Sequence, residues 1–134
     1  MIELNVRVSV TSEGPGIQSK LGAIKGVSNL KLDMGYVFTA TLTGENWDRI
    51  DQMITEIKKT PDVALCRFDP LTPDISQHLV ENELKKLGLT ASEYTNEMGD
   101  QTKKMSYHIV VATTGPSTVK RYKVYTSGLL DLMS

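Results

Sequence analysis

The chain has 134 residues, 40% of them apolar and 23% charged, with a net charge of −1. That leaves room for one domain, or a small domain plus an extension, burying roughly two thirds of its unfolded surface. No apolar run approaches the ~20 residues of a membrane span, and the amino terminus reads as a strand rather than a signal peptide. One cysteine, Cys66, excludes an internal disulfide framework and fits a reducing compartment, so a cytoplasmic protein with no membrane partner is expected.

Ile2, Leu4, Val6, Val8 and Val10 alternate with Glu3, Asn5, Arg7 and Ser9, the period-two pattern of a half-buried strand. Gly14-Pro15-Gly16 then turns the chain, with Pro15 suited to a first helical position because its missing N–H costs nothing there. Ile17, Leu21 and Ile24 at i, i+4, i+7 predict one apolar helical stripe, and Gly26 is placed to end that helix as a left-handed cap. Leu30, Leu32 and Met34 alternate with Lys31 and Asp33 as a second strand. Gly35 marks a tight turn, and Tyr36, Phe38, Ala40 and Leu42 alternate with Val37, Thr39 and Thr41 as a third. Asn46 is a good N-cap for a second helix with a buried stripe of Trp47, Ile50, Met53, Ile54 and Ile57, which Pro61 stops. Val63–Phe68 reads as a fourth strand.

Thr72 and Pro73 start a third helix, whose apolar side is Ile75, Leu79, Val80, Leu84 and Leu87, and Gly88 ends it. Residues 90–104 show no clear period and are predicted to be loop. Tyr107, Ile109 and Val111 alternate, Gly115-Pro116-Ser117 turns the chain, and residues 119–126 return as the second strand of a hairpin. The apolar tail at 129–133 is expected to dock on its own fold or on a neighbouring subunit. The expected architecture is therefore α+β: a ferredoxin-like βαββαβ sandwich over residues 1–70, extended by a C-terminal helix, loop and β-hairpin over 71–134 that packs on it.

Charge is unevenly spread. Residues 71–100 hold two basic against six acidic side chains, a balance of −4, and residues 101–134 hold five against one, a balance of +4. Either the two segments attract each other within one fold, or the last one offers a basic binding surface.

The first half resembles an ACT-type ligand-binding domain. In that family a Pro-Gly pair follows the first strand and a Gly-Val leads from the first helix into the second strand. Pro15-Gly16 and Gly26-Val27 stand at the matching places. The resemblance implies regulatory binding of an amino acid or similar small molecule at a subunit interface, with Glu13, Gly14, Pro15, Gly16 and Ile17 as the ligand-binding residues. The same Gly-Pro-Gly also serves as a plain strand-to-helix connection.

Chemistry is otherwise sparse. His78 and His108 have no partner at metal-ligand spacing, so neither a metal site nor a cofactor is expected, and no residue is assigned a catalytic role. Cys66 with His108 would make a thiol–imidazole pair, whereas a small buried cysteine in a strand is the simpler reading. Parity places Tyr36 and Phe38 beneath the helices with Ala40 and Leu42, which argues against a base-stacking platform on the sheet. Lys103, Lys104, Lys120, Arg121, Lys123 and Tyr125 form a basic and aromatic cluster able to neutralise a few phosphates, and equally able to protect an edge strand. The expected function is non-catalytic binding by a small regulatory or adaptor protein. Its partner is a small molecule or another protein, in a homo-oligomer; a nucleic-acid-binding regulator using the basic hairpin is the alternative.

Overall fold

The computed structural model describes residues 1–12, 15–98 and 107–133. The chain is mixed α+β, with two four-stranded antiparallel sheets and three helices among the described residues. It divides into two compact units, Met1–Pro70 and Leu71–Ser134. No described helix is long and apolar enough to cross a membrane.

The first unit runs β1 (Ile2–Val10), α1 (Pro15–Gly22), β2 (Val27–Met34), β3 (Val37–Gly44), α2 (Trp47–Lys59) and β4 (Val63–Phe68), with strand order β2-β3-β1-β4. Alternation does what period two requires. Leu4, Val6, Val8 and Val10 of β1, Phe38, Ala40 and Leu42 of β3 and Cys66 and Phe68 of β4 are buried. So are Ile17 and Leu21 of α1 and Ile50, Met53 and Ile57 of α2. The Asn46 side chain caps α2 by accepting from the Arg49 N–H at 2.9 Å, with Asp48 in the first turn and Lys58 and Lys59 in the last favouring the helix dipole.

Three expectations fail in this unit, each for a local reason. The first helix ends at Gly22, so Ile24 lies in the following turn and is only half-buried; the left-handed Gly26 (φ +101°) closes that turn rather than the helix. Leu32, Met34 and Tyr36 are 54%, 72% and 50% exposed rather than in the core. Tyr36 falls in the turn between β2 and β3, and Leu32, although it pairs with Phe38 on the helix side, belongs to an edge strand. The pairing of β2 with β3 slips between Ser28 and Lys31, where Asn29 has φ +53°, and again between Leu32 and Met34, which sets Met34 opposite Val37 on the other face. β4 carries a similar slip, opposite Ser9 and Val10. Both edges of this sheet are therefore bulged, a device that discourages further strand addition.

The second unit runs α3 (Pro73–Lys86), β5 (Glu93–Met98), β6 (Tyr107–Gly115), β7 (Thr118–Tyr125) and β8 (Leu130–Leu132), with strand order β5-β6-β7-β8. The Thr72 hydroxyl accepts from the Ile75 N–H at 3.3 Å to start α3. A Schellman closure ends it: Leu89 N–H donates to the Leu84 carbonyl at 2.8 Å and Gly88 N–H to that of Lys85 at 3.1 Å, with Gly88 at φ +73°. α3 packs against β5, β6 and β7, and Ile75, Val80, Leu84, Val110, Ala112, Tyr122 and Val124 are buried.

The hairpin is thus half of a larger sheet. Residues 93–98 form a strand where a loop was expected, because pairing with β6 supplies a stabilisation that their polar sequence does not advertise. At the other edge, Leu130–Leu132 pairs with β7, so the apolar tail docks on its own sheet, although Leu129, Leu132 and Met133 stay largely exposed. Leu87, expected on the buried side of α3, is 54% exposed, since it falls past the last helical turn.

Candidate functional site

β1 and β3 lie in the middle of the first sheet, and their register places polar side chains in two rows on the face opposite the buried valines. Thr39 stands between Lys31 of β2 and Arg7 of β1, and Arg7 in turn stands opposite Arg67 of β4. Lys31, Thr39, Arg7 and Arg67 therefore make one row across four strands. The next row contains Thr41 opposite Asn5. Here Asn29 Nδ2 donates to Thr41 Oγ1 at 3.3 Å, and that hydroxyl donates to Asn5 Oδ1 at 2.9 Å. The Asn29 side chain reaches this row because the bulge in β2 turns it there.

Arg7 is the electrostatic centre. Its guanidinium is 2.8 Å from Asp33 Oδ2 and 3.7 Å from Asp69 Oδ2. Asp69 is held at the end of β4 by its N–H, which donates to the Asn5 carbonyl at 3.0 Å. Both ion pairs are half in water and contribute little to stability, of the order of 0–1 kcal/mol each; what they do is hold the guanidinium still. Asn5, Arg7, Asn29, Lys31, Thr39, Thr41 and Asp69 line a depression of about 290 Å³. A larger one, about 790 Å³, lies where Lys25, Asn46 and Arg49 meet. Two of its polar side chains are already committed, since Arg49 Nη2 donates to the Lys25 carbonyl at 2.6 Å and Asn46 caps α2.

The residues singled out from the sequence are spread more widely. Glu13 and Gly14 lie outside the described residues, as do Lys103 and Lys104. Pro15 is the first residue of α1, Gly16 is exposed with open space where a Cβ would stand, and Ile17 is buried. In the second sheet Arg121, Lys123 and Tyr125 share one face of β7, and Lys120 lies on the other with the buried Tyr122. Arg121 pairs with Glu97 at 3.2 Å, Lys123 Nζ sits 4.2 Å above the Tyr107 ring and 5.3 Å from that of Tyr125, and the Tyr125 hydroxyl donates to Asp131 at 3.0 Å. Arg121 and Lys123 thus have an acidic and an aromatic neighbour drawn from β5 and β6, the first of which the sequence did not reveal as a strand.

The groups with nucleophilic or basic chemistry serve the core. Cys66 is buried, and desolvation, partly offset by the Lys58 charge, pushes its thiol up to about 11, so little thiolate exists near neutral pH. His108 Nδ1 is 2.9 Å from Ser76 Oγ, with both side chains buried, which ties α3 to β6. His78 Nε2 is 3.1 Å from Asn82 Nδ2, one helical turn on. Among the described residues no group of three His, Cys, Asp or Glu side chains is assembled that could hold a metal ion.

Burial lowers the His108 pKa below the ordinary 6.5, because the charged imidazolium is desolvated. The unfolded chain then binds the proton more readily. This histidine's contribution to stability is complete above pH 6.5 and is lost as the pH falls from 6.5 to the folded-state value. The thermal midpoint should accordingly decline over that interval, with the His108 ring titrating below 6.5 by NMR. A ring titrating at or above 6.5 contradicts the assignment.

Comparison with protein-family models, with curated proteins and with solved structures finds no match to the chain.

Proposed function

We propose that this is a non-catalytic binding protein, a small regulatory or adaptor protein that holds a small polar ligand on the helix-free face of its first sheet. The observation that carries this reading is the hydrogen-bonded chain from Asn29 through Thr41 to Asn5, lying beside a guanidinium fixed by two carboxylates in one depression. A merely solvated sheet face has no need of ordered side chains. Here Thr41 is 8% exposed, and its hydroxyl is committed to both neighbours, so the polar surface is organised before any ligand arrives.

The β-α-β-β-α-β order and the antiparallel β2-β3-β1-β4 arrangement support a ferredoxin-like reading of this unit, and the ACT-like resemblance supports regulatory binding by such a unit. That resemblance points to the start of α1, where Gly16 is open to solvent. The open sheet face is the better supported location, since it holds converging polar groups. If the protein forms an oligomer, bulges on both sheet edges favour contact through side chains over a continued sheet. Nucleic-acid binding by the second-unit hairpin has less support, because Arg121 and Lys123 already have neighbours that temper their charge.

The test is an NMR screen of the isotope-labelled full chain against small polar metabolites. Ligands should perturb the amides of Asn5, Arg7, Asn29 and Thr41, and Thr41→Val, which removes the hydroxyl at the middle of the chain, should weaken them about tenfold. A screen that leaves those amides unmoved, or perturbs Gly16 and Ile17 instead, overturns the open-face location.

A further inference from the structure

Charge on the open face of the first sheet is arranged more narrowly than a generic polar site requires. Lys31, Arg7 and Arg67 occupy a single row, with only Thr39 between them. Neighbouring strands lie about 4.8 Å apart, so Arg7 and Arg67 stand one spacing apart, and Lys31 about 10 Å from Arg7 across Thr39. Like charges directly opposite on adjacent strands repel. Asp33 and Asp69 offset this at Arg7 alone. Lys31 is exposed and has no acidic partner among the described residues. Arg67 likewise has no ion pair there, and its Nε is buried without a hydrogen-bond partner. A row of three cations of which only Arg7 is ion-paired is incomplete as a structural device. It is complete once an anion joins it.

We infer that the ligand of this face carries a terminal phosphate, an oxyanion seated over Thr39 between Lys31 and Arg7. This rests on the binding reading above and names its chemistry. A phosphate monoester offers three oxygens and close to two negative charges at neutral pH, enough to engage an ammonium and a guanidinium at once. Arg7 keeps its 2.8 Å contact with Asp33 and exchanges only the looser Asp69 contact, at 3.7 Å, for the phosphate. The neutral row of Asn29, Thr41 and Asn5 lies one step along the strands, in position for hydroxyl groups on the rest of a small ligand. The occupant is thus a small phosphorylated polyol or sugar, with the phosphate on the cationic row and the hydroxyls on the amide row.

Titration of the full chain with ribose 5-phosphate, ribose, inorganic phosphate, succinate and a decameric single-stranded RNA, at constant ionic strength, tests this. Ribose 5-phosphate should perturb Arg7, Lys31 and Thr39 and bind at least tenfold more tightly than ribose or succinate, with inorganic phosphate at the same residues but weaker. Lys31→Gln should lower its affinity about 10- to 100-fold with no change in thermal midpoint, and Arg67→Gln should lower it less. Succinate binding as tightly as the phosphate ester, or the RNA binding more tightly than the sugar phosphate, overturns the inference. If metabolites perturb Asn5 and Thr41 while ribose 5-phosphate binds no better than ribose, the binding reading survives and the phosphate inference fails. If neither set of residues moves with any probe, both fail.

Discussion

Gly26→Val should cost the first unit roughly 3 kcal/mol, because two independent penalties coincide at that position. The backbone there is left-handed at φ +101°, a conformation a β-branched residue adopts only under strain. A Cβ would also stand 2.5 Å from the Met53 sulfur and 2.7 Å from the Thr43 carbonyl oxygen. The methionine can swing away, although it is wholly buried in α2; the carbonyl belongs to β3 and cannot. Gly26 is pinned from the same side by its own carbonyl, which accepts from the Thr43 N–H at 2.9 Å. For a unit of this size the loss corresponds to a fall of roughly 12–24 °C in thermal midpoint. Gly16→Ala makes the contrast: no atom lies near the new methyl, and a helical glycine is replaced by the best helix former, so stability should change by less than about 1 kcal/mol. Equal effects from the two substitutions would show that the close approach at Gly26 is misplaced.

The second large effect belongs to α3. Leu84 is 1% exposed and faces the sheet, and Leu84→Ala should cost about 2–5 kcal/mol, read as a shift in the urea midpoint at unchanged slope. Leu87, three residues on, is 54% exposed beyond the helix end, and Leu87→Ala should stay within about 0.5 kcal/mol. Both leucines belong to the same apolar stripe in the sequence. The Schellman closure at Gly88 separates them, because it turns the chain before Leu87 can complete another turn of the stripe. Comparable losses from both would mean that α3 continues past Lys86.

These two predictions also mark what kind of information the chain carries. Alternation in β1 and β3 and the helical stripe of α2 were legible because burial imposes its period on the residues themselves, and the burial of Val6, Val8, Leu42, Ile50, Met53 and Ile57 follows. Capping was legible for the same reason: the Asn46 and Thr72 caps are local chemistry, settled within three residues. β5 was not legible. Glu93, Thr95, Asn96 and Glu97 have no apolar period, and their strand exists only because β6 offers them a ladder of partners. Leu32, Met34 and Tyr36 read as core by parity and are exposed because Leu32 lies on an edge strand, a bulge turns Met34 to the other face and Tyr36 falls in the turn.

The candidate site divides in the same way. The sequence by itself determined that Asn5, Arg7, Lys31 and Asp33 would lie on a wet strand face, because each sits one step out of phase with apolar neighbours. It could not bring Arg67, Thr39 and Lys31 into one row with Arg7, nor set Asn29 against Thr41, since those meetings depend on strand order and register between segments 12 to 60 residues apart. Period is a property of a segment and is written in it; register is a property of two segments and appears only when the chain closes on itself.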